Sequence, residues 1–199
     1  MMLRPFLLSL LACGSVLAAT PNKNKDEEPP EVRYAAMLER EYGPLGKTTD
    51  QILGREKTHE PPTIVGALLY RIRAKPPERL TPVEKRLVAA RDVLDEVTNG
   101  GFTQYFGNAA GDQAALALQA FREMGATELA KQMQRAMAVF PQGKPPTDTA
   151  RRVKIMEQVK KRSAAVWGGC EDAVYLQEEN FAPLALAWAK KNRAQIVLP

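Results

Sequence analysis

The chain has 199 residues, 45% of them hydrophobic and 26% charged. That is enough for one domain with a real core, and it excludes a mostly disordered chain. Its 15 prolines and 13 glycines follow no period, while 1 histidine and 2 cysteines exclude a disulfide scaffold and a histidine-rich metal site. The formal net charge is +5.

At the N-terminus Arg4 precedes an apolar run beginning at Phe6, and no acid appears before Asp26. This is the layout of a secretory signal peptide, too short for a spanning helix, and it is expected over residues 1–19. Two cleavage readings stand open. A general signal peptidase would cut after Ala18 or Ala19. Alternatively, Leu10-Leu11-Ala12-Cys13 resembles a lipobox, with Cys13 the lipidated residue. Either way the expected address is export to the periplasm or cell envelope of a bacterium, with a lipid anchor on the second reading. Cys170 then has no intramolecular partner, so it is expected to be buried or to pair between chains. Residues 20–31 hold no large apolar side chain and are expected to be a flexible tether.

Four Pro-Pro pairs, in Glu28–Glu31, Glu60–Thr63, Lys75–Glu78 and Lys144–Thr147, read as helix breakers. Between them the pattern is helical. Residues 31–42 place Tyr34, Met37, Leu38 and Tyr42 near one side. Residues 63–74 place Ile64, Ala67, Leu68 and Ile72 on one face. Thr81-Pro82-Val83-Glu84 is a capping box with proline at its first helical position. Val83, Leu87, Ala90, Leu94 and Val97 follow as one stripe, ended by Asn99-Gly100-Gly101 with at least one glycine at positive φ. Asp112 is expected to cap a helix running to Met124, and Thr127 one with Leu129, Met133, Ala136, Met137 and Phe140 inward. Three more are expected: residues 148–164 with Val153, Ile155, Met156 and Val159 in the core, a short one at 171–178, and one capped by Asn180 with Phe181, Leu184, Ala187 and Trp188 inward. The expected class is all-α, a compact single-domain bundle or array of about seven to nine helices. Residues 32–79 read as an N-terminal helical extension and 80–195 as the principal domain.

The stretch from Glu96 to Asp112 reads EVTNGGFTQYFGNAAGD. It resembles the DNA-mimic-protein-like domain family, bacterial and all-helical, whose pattern is similar to E-V-x-N-G-G-F-x-Q-Y-F-x-N-x-x-G-D. The resemblance extends from about Leu80 to Asn192 and includes Glu123-Met124-Gly125-Ala126 at the end of a helix. It implies an all-helical fold. Named members act by presenting acidic surfaces that imitate duplex DNA, but a chain of net charge +5 cannot imitate phosphates by charge. The resemblance therefore carries the fold and not the mimicry, and no nucleic-acid partner is expected.

The motif has a structural reading of its own. Phe102, Tyr105 and Phe106 would drive three rings into the core around a chain reversal, with Gln104 and Asn108 satisfying loop backbone groups. The competing reading makes Glu96, Asn99, Gln104, Tyr105, Asn108 and Asp112 a binding site. General acid–base work needs two converging carboxylates, and Glu96 is the acid adjoining the motif. His59 lies in a polar loop, and a dyad with Cys170 is a remote alternative to a structural thiol. No HExxH, CxxC or EF-hand loop occurs, so no metal or cofactor is expected.

The concentrated charge feature is residues 151–162. Arg151, Arg152, Lys154, Lys160, Lys161 and Arg162 form a basic face with Glu157 the single acid. Such a face suits a membrane surface or an acidic partner, and its lack of aromatics argues against single-stranded nucleic acid. The leading expectation is a non-enzymatic protein-interaction module of the envelope, partner and oligomeric state open. The alternative is an envelope hydrolase or cell-wall-fragment binder using Glu96.

Overall fold

The computed structural model describes residues 28–199. The signal peptide over 1–19, Cys13 and tether residues 20–27 lie outside the described residues. Every regular element among the described residues is helical: α1 (Pro30–Tyr42), α2 (Thr49–Leu53), α3 (Pro61–Arg73), α4 (Pro82–Gly107), α5 (Ala114–Met124), α6 (Thr127–Met137) and α7 (Thr149–Lys191), joined by short 3₁₀ turns.

Prolines start helices here as much as they break them. Pro30 and Pro61, from two of the Pro-Pro pairs, and the lone Pro82 each occupy a first turn, where the missing N–H is an orphan anyway. α1 consequently begins inside the expected tether. The capping box at Thr81 is present, with Glu84 N–H donating to Thr81 Oγ1 at 3.2 Å and Thr81 N–H donating to Glu84 Oε2 at 2.8 Å. A second box that the sequence reading missed, Thr48 with Gln51, starts α2.

The stripe of α4 is fully inward, with Val83, Leu87, Ala90, Leu94 and Val97 all at 0% exposure. α3 buries Ile64, Ala67, Leu68 and Ile72 against it, while α1 contributes Leu38 and Tyr42 to the same core; Met37 points out instead. Between α3 and α4, Arg73 donates to Asp92 at 2.5 Å and to Asp95 at 3.2 Å. Burial lifts the Asp92 carboxyl above its ordinary value against the pull of Arg73. The C-terminal tail packs at the junction of α3 and α4, where Lys75 donates to the Val197 carbonyl at 2.8 Å. Thr49 and Thr81 hydroxyls donate to the Ile196 and Gln195 carbonyls, and the buried Glu84 accepts from Val197 N–H at 2.7 Å.

Several expected boundaries are corrected. Asp112 caps nothing, because its carboxylate is held by Arg152 and Thr149; α5 starts at Ala114 without a side-chain cap. Thr127 is the first helical residue of α6, not its cap. The three segments expected over residues 148–188 form one helix of 43 residues, about 65 Å long at ~1.5 Å per residue. Asn180 lies inside it and donates to Gln177. Its inward line runs through Arg152, Ser163, Trp167, Cys170, Val174 and Phe181. Ile155 and Met156 pack only partly against the core, Val153 and Val159 are half-buried, and Ala187 is exposed.

Candidate functional site

The family-like motif forms a corner in which α4 breaks and restarts. Gly100 has φ −157° and Gly101 has φ +72° with ψ −176°, so the left-handed turn expected here is replaced by an extended conformation at positive φ that only glycine adopts readily. A continuous helix would pair the Val97 carbonyl with Gly101 and the Phe102 N–H with Thr98. Both pairings span the break, and α7 sends a side chain to each of the two groups. Tyr175 Oη donates to the Val97 carbonyl at 3.1 Å, and Glu171 Oε1 accepts from Phe102 N–H at 2.7 Å. A Cβ on Gly101 would stand 2.5 Å from that same Glu171 oxygen. Conformation therefore requires glycine, and a side chain here would also push the Glu171 carboxylate off the Phe102 N–H.

Glu96 is 3% exposed. Its Oε2 accepts from Gln104 Nε2 at 2.7 Å and from Asn108 Nδ2 at 2.9 Å. The carboxylate thus staples the two limbs of the corner across the break. Tyr105 is fully buried, and its hydroxyl has no hydrogen-bond partner among the described residues. Burial pushes that phenol above its ordinary value, aided by the nearby Asp92 carboxylate. Phe106 sits at the centre of an aromatic cluster, 5.7 Å from Phe102, 5.0 Å from Tyr105, 4.8 Å from Phe140 and 5.4 Å from Trp167 by ring centroid. Asn99 is exposed at the break and stands apart from the buried set.

The residue that closes the corner is Arg152, which the sequence reading placed on an exposed basic face. It is 0% exposed. Its Nε donates to the Phe106 carbonyl at 2.6 Å. Nη1 donates to Asp112 Oδ1 at 2.8 Å and to the Pro146 carbonyl at 2.6 Å, and Nη2 to the Asn108 carbonyl at 2.7 Å and Thr149 Oγ1 at 3.2 Å. All five guanidinium N–H donors have acceptors. A positive group also suits the C-terminal carbonyls of the restarted helix. A Cβ at Gly111 would fall 2.8 Å from Arg152 Nε and 2.8 Å from the Tyr105 carbonyl, so Gly111 makes the room that Arg152 occupies. The signal for this was helical phase: Arg152, Met156, Val159 and Ser163 fall on one line, and that line, not the one through Val153, faces in.

The rest of the basic run is exposed: Arg151, Lys154, Lys160, Lys161 and Arg162, the last also turning its guanidinium onto the Val139 carbonyl. Cys170 is 0% exposed, and burial pushes its thiol above the ordinary value. His59 is exposed in its loop and shares a hydrogen bond with the Thr58 hydroxyl. A buried thiol and an exposed imidazole do not make a nucleophilic pair. Among the described residues no cluster of three or more histidine, cysteine or acidic side chains could hold a metal ion, and no helix is long and apolar enough to cross a membrane.

The arrangement is a set of inward-facing polar groups that fix backbone geometry: Glu96 across the break, Glu171 at the restart, Arg152 at the exit. No curated protein and no solved structure matches the chain. A family model described as "DMP19-like protein" matches residues 78–192, a span that begins just before the Thr81 capping box, includes the whole corner, and ends at the last residues of α7. The chain belongs to the DMP19-like protein family.

Proposed function

We propose that this chain is a non-enzymatic interaction module, exported to the bacterial envelope, that engages another protein through the solvent face of α7. The observation that carries this reading is the direction of the motif's polar groups. Glu96, Gln104, Asn108, Asp112 and Arg152 bond to one another or to backbone, so the corner is spent on architecture. What remains for recognition is outer surface, where α7 presents exposed charges. DNA mimicry is not carried over, because the chain has net charge +5 and lacks the anionic excess that imitating phosphates requires. Export rests on the Arg4-led apolar run at the N-terminus, with Cys13 lipidation the variant reading.

The hydrolase alternative needs a carboxylate that can reach substrate and a second acid beside it. Glu96 is buried and holds two amide donors of its own motif, so the geometry does not favour that role. Cross-linking of the full chain in an envelope fraction, with the linked peptides sequenced, tests the proposal. Cross-links concentrated on Lys154, Lys160 and Lys161 are expected. Turnover of cell-wall fragments that Glu96→Gln abolishes, in a variant with unchanged melting, would overturn it.

A further inference from the structure

We infer that the partner of the α7 face is a second copy of this chain, packed antiparallel along the same helix. The inference deepens the interaction-module reading and rests on it. α7 is charge-asymmetric. Residues 151–162 carry six bases and one acid, whereas residues 171–179 carry four acids and no base. On the helix the exposed positions form one seam from Lys154 to Glu179 at successive spacings of 4, 3, 4, 3, 4, 3 and 4. That is the period of a two-helix seam, and it lies opposite the line through Trp167, Cys170 and Val174 that faces the core.

The seam is self-complementary under a two-fold axis through its middle. Reversing it onto itself sets Lys154 against Glu179 of the second copy and Lys161 against Asp172 of the second copy. At the centre Ala165 meets Gly168, flanked by Ala164 against Gly169. A Cβ on Gly168 or Gly169 would meet nothing within 4 Å, so this stretch is open and flat where two helix axes must come closest. Between centre and ends, the exposed ring of Tyr175, whose hydroxyl stays on the Val97 carbonyl, meets Gln158, and Leu176 lies along the methylenes of Glu157. Tyr175 is 45% and Leu176 77% exposed, the latter the most exposed large hydrophobic side chain among the described residues. Lys154, Lys161, Asp172 and Glu179 make no ion pair with any described residue. By symmetry the dimer contains each charge pair twice, along a seam about 38 Å long at ~1.5 Å per residue. A single-sign acidic partner would satisfy the lysines but repel the Asp172 and Glu179 end, which is why a second copy fits better than a uniformly acidic surface.

The test is charge exchange read by sedimentation of the full chain. The wild-type protein is expected to dimerise and to dissociate as salt rises. Lys154→Glu with Lys161→Glu makes the seam wholly acidic; Asp172→Lys with Glu179→Lys makes it wholly basic. Each double variant alone is expected to dimerise on the order of tenfold to hundredfold more weakly. An equimolar mixture of the two should recover a dimer containing one of each. The substitutions are on exposed positions, and recovery in the mixture excludes misfolding as the cause of the loss. A wild-type chain that stays monomeric at its highest soluble concentration overturns the inference, as does a mixture that stays monomeric. A dimer indifferent to both double variants overturns it too. A monomer that still cross-links to a different protein through Lys154 or Lys161 rejects self-pairing while leaving the interaction-module reading intact.

Discussion

Arg152 shows how one side chain can decide a corner. Its five donors reach three backbone carbonyls, one carboxylate and one hydroxyl, and water has no access to replace them. Arg152→Met should therefore lower stability by ~3–5 kcal/mol, the usual cost of removing one partner from a buried charged network. Thermal denaturation measures this, and Arg152→Lys should recover only part of the loss, since an ammonium has three donors in a different geometry. Tyr105 makes the opposite case. Its hydroxyl is buried without a partner among the described residues, so Tyr105→Phe should leave the melting temperature unchanged or raise it. A drop in melting temperature would show that the hydroxyl is bonded after all. The residue types at this corner were legible from the sequence, including the three inward aromatics and the need for glycine. The roles of Arg152, Glu171 and Tyr175 were not, because each acts across more than forty residues of chain and no local pattern records such a contact.

Elements follow the strength of their local signals. α4 was readable from its capping box and unbroken apolar stripe, two signals that agree. α7 replaces three expected segments, with Gly168 and Gly169 lying between the first two and Asn180 at the expected start of the third. A mid-helix glycine costs only about 1 kcal/mol, less than the packing of Trp167, Cys170, Val174 and Phe181 along one line returns, so the helix runs through. Pro183 is exposed, which leaves the carbonyl it strands within reach of solvent. The break in α4 is real because it is enforced by tertiary contact. Gly101→Ala should cost about 1–3 kcal/mol from backbone conformation, and the close Glu171 oxygen adds to it; an unchanged chemical-denaturation midpoint would refute that reading. Cys170 gives a check on α7 as a single packed helix. Its thiol is raised by burial, so the neutral form belongs to the folded state. Stability from this site is complete below the unfolded thiol value of ~8.5 and declines as pH rises above it. Alkylation of Cys170, mapped by peptide mass, should be far slower in the native chain than after unfolding.

For the whole molecule, the family match over residues 78–192 contains the entire corner, and the structure makes that corner one unit: Gly101, Gly111, Glu96, Asn108 and Asp112 are parts of one turn. The segment before Leu80 had been read as an extension, yet α1 and α3 bury Leu38, Tyr42, Ile64 and Leu68 in the common core. Truncation before α4 should accordingly expose apolar surface and reduce solubility, which a purification yield and a melting curve would show. If the N-terminal run directs export, intact mass of the mature protein should correspond to cleavage after Ala18 or Ala19, or to acylation at Cys13. Retention of residues 1–19 would reject export. The central proposition is that the corner builds the fold and the α7 face does the binding. Thermal denaturation of Glu96→Ala, paired with sedimentation of the same sample below its melting temperature, tests it most directly. The expected result is a lower melting temperature, reflecting a loss of ~1–3 kcal/mol as two half-buried amide donors lose their acceptor, with self-association retained. An unchanged melting temperature together with lost association would make Glu96 a binding residue and contradict it.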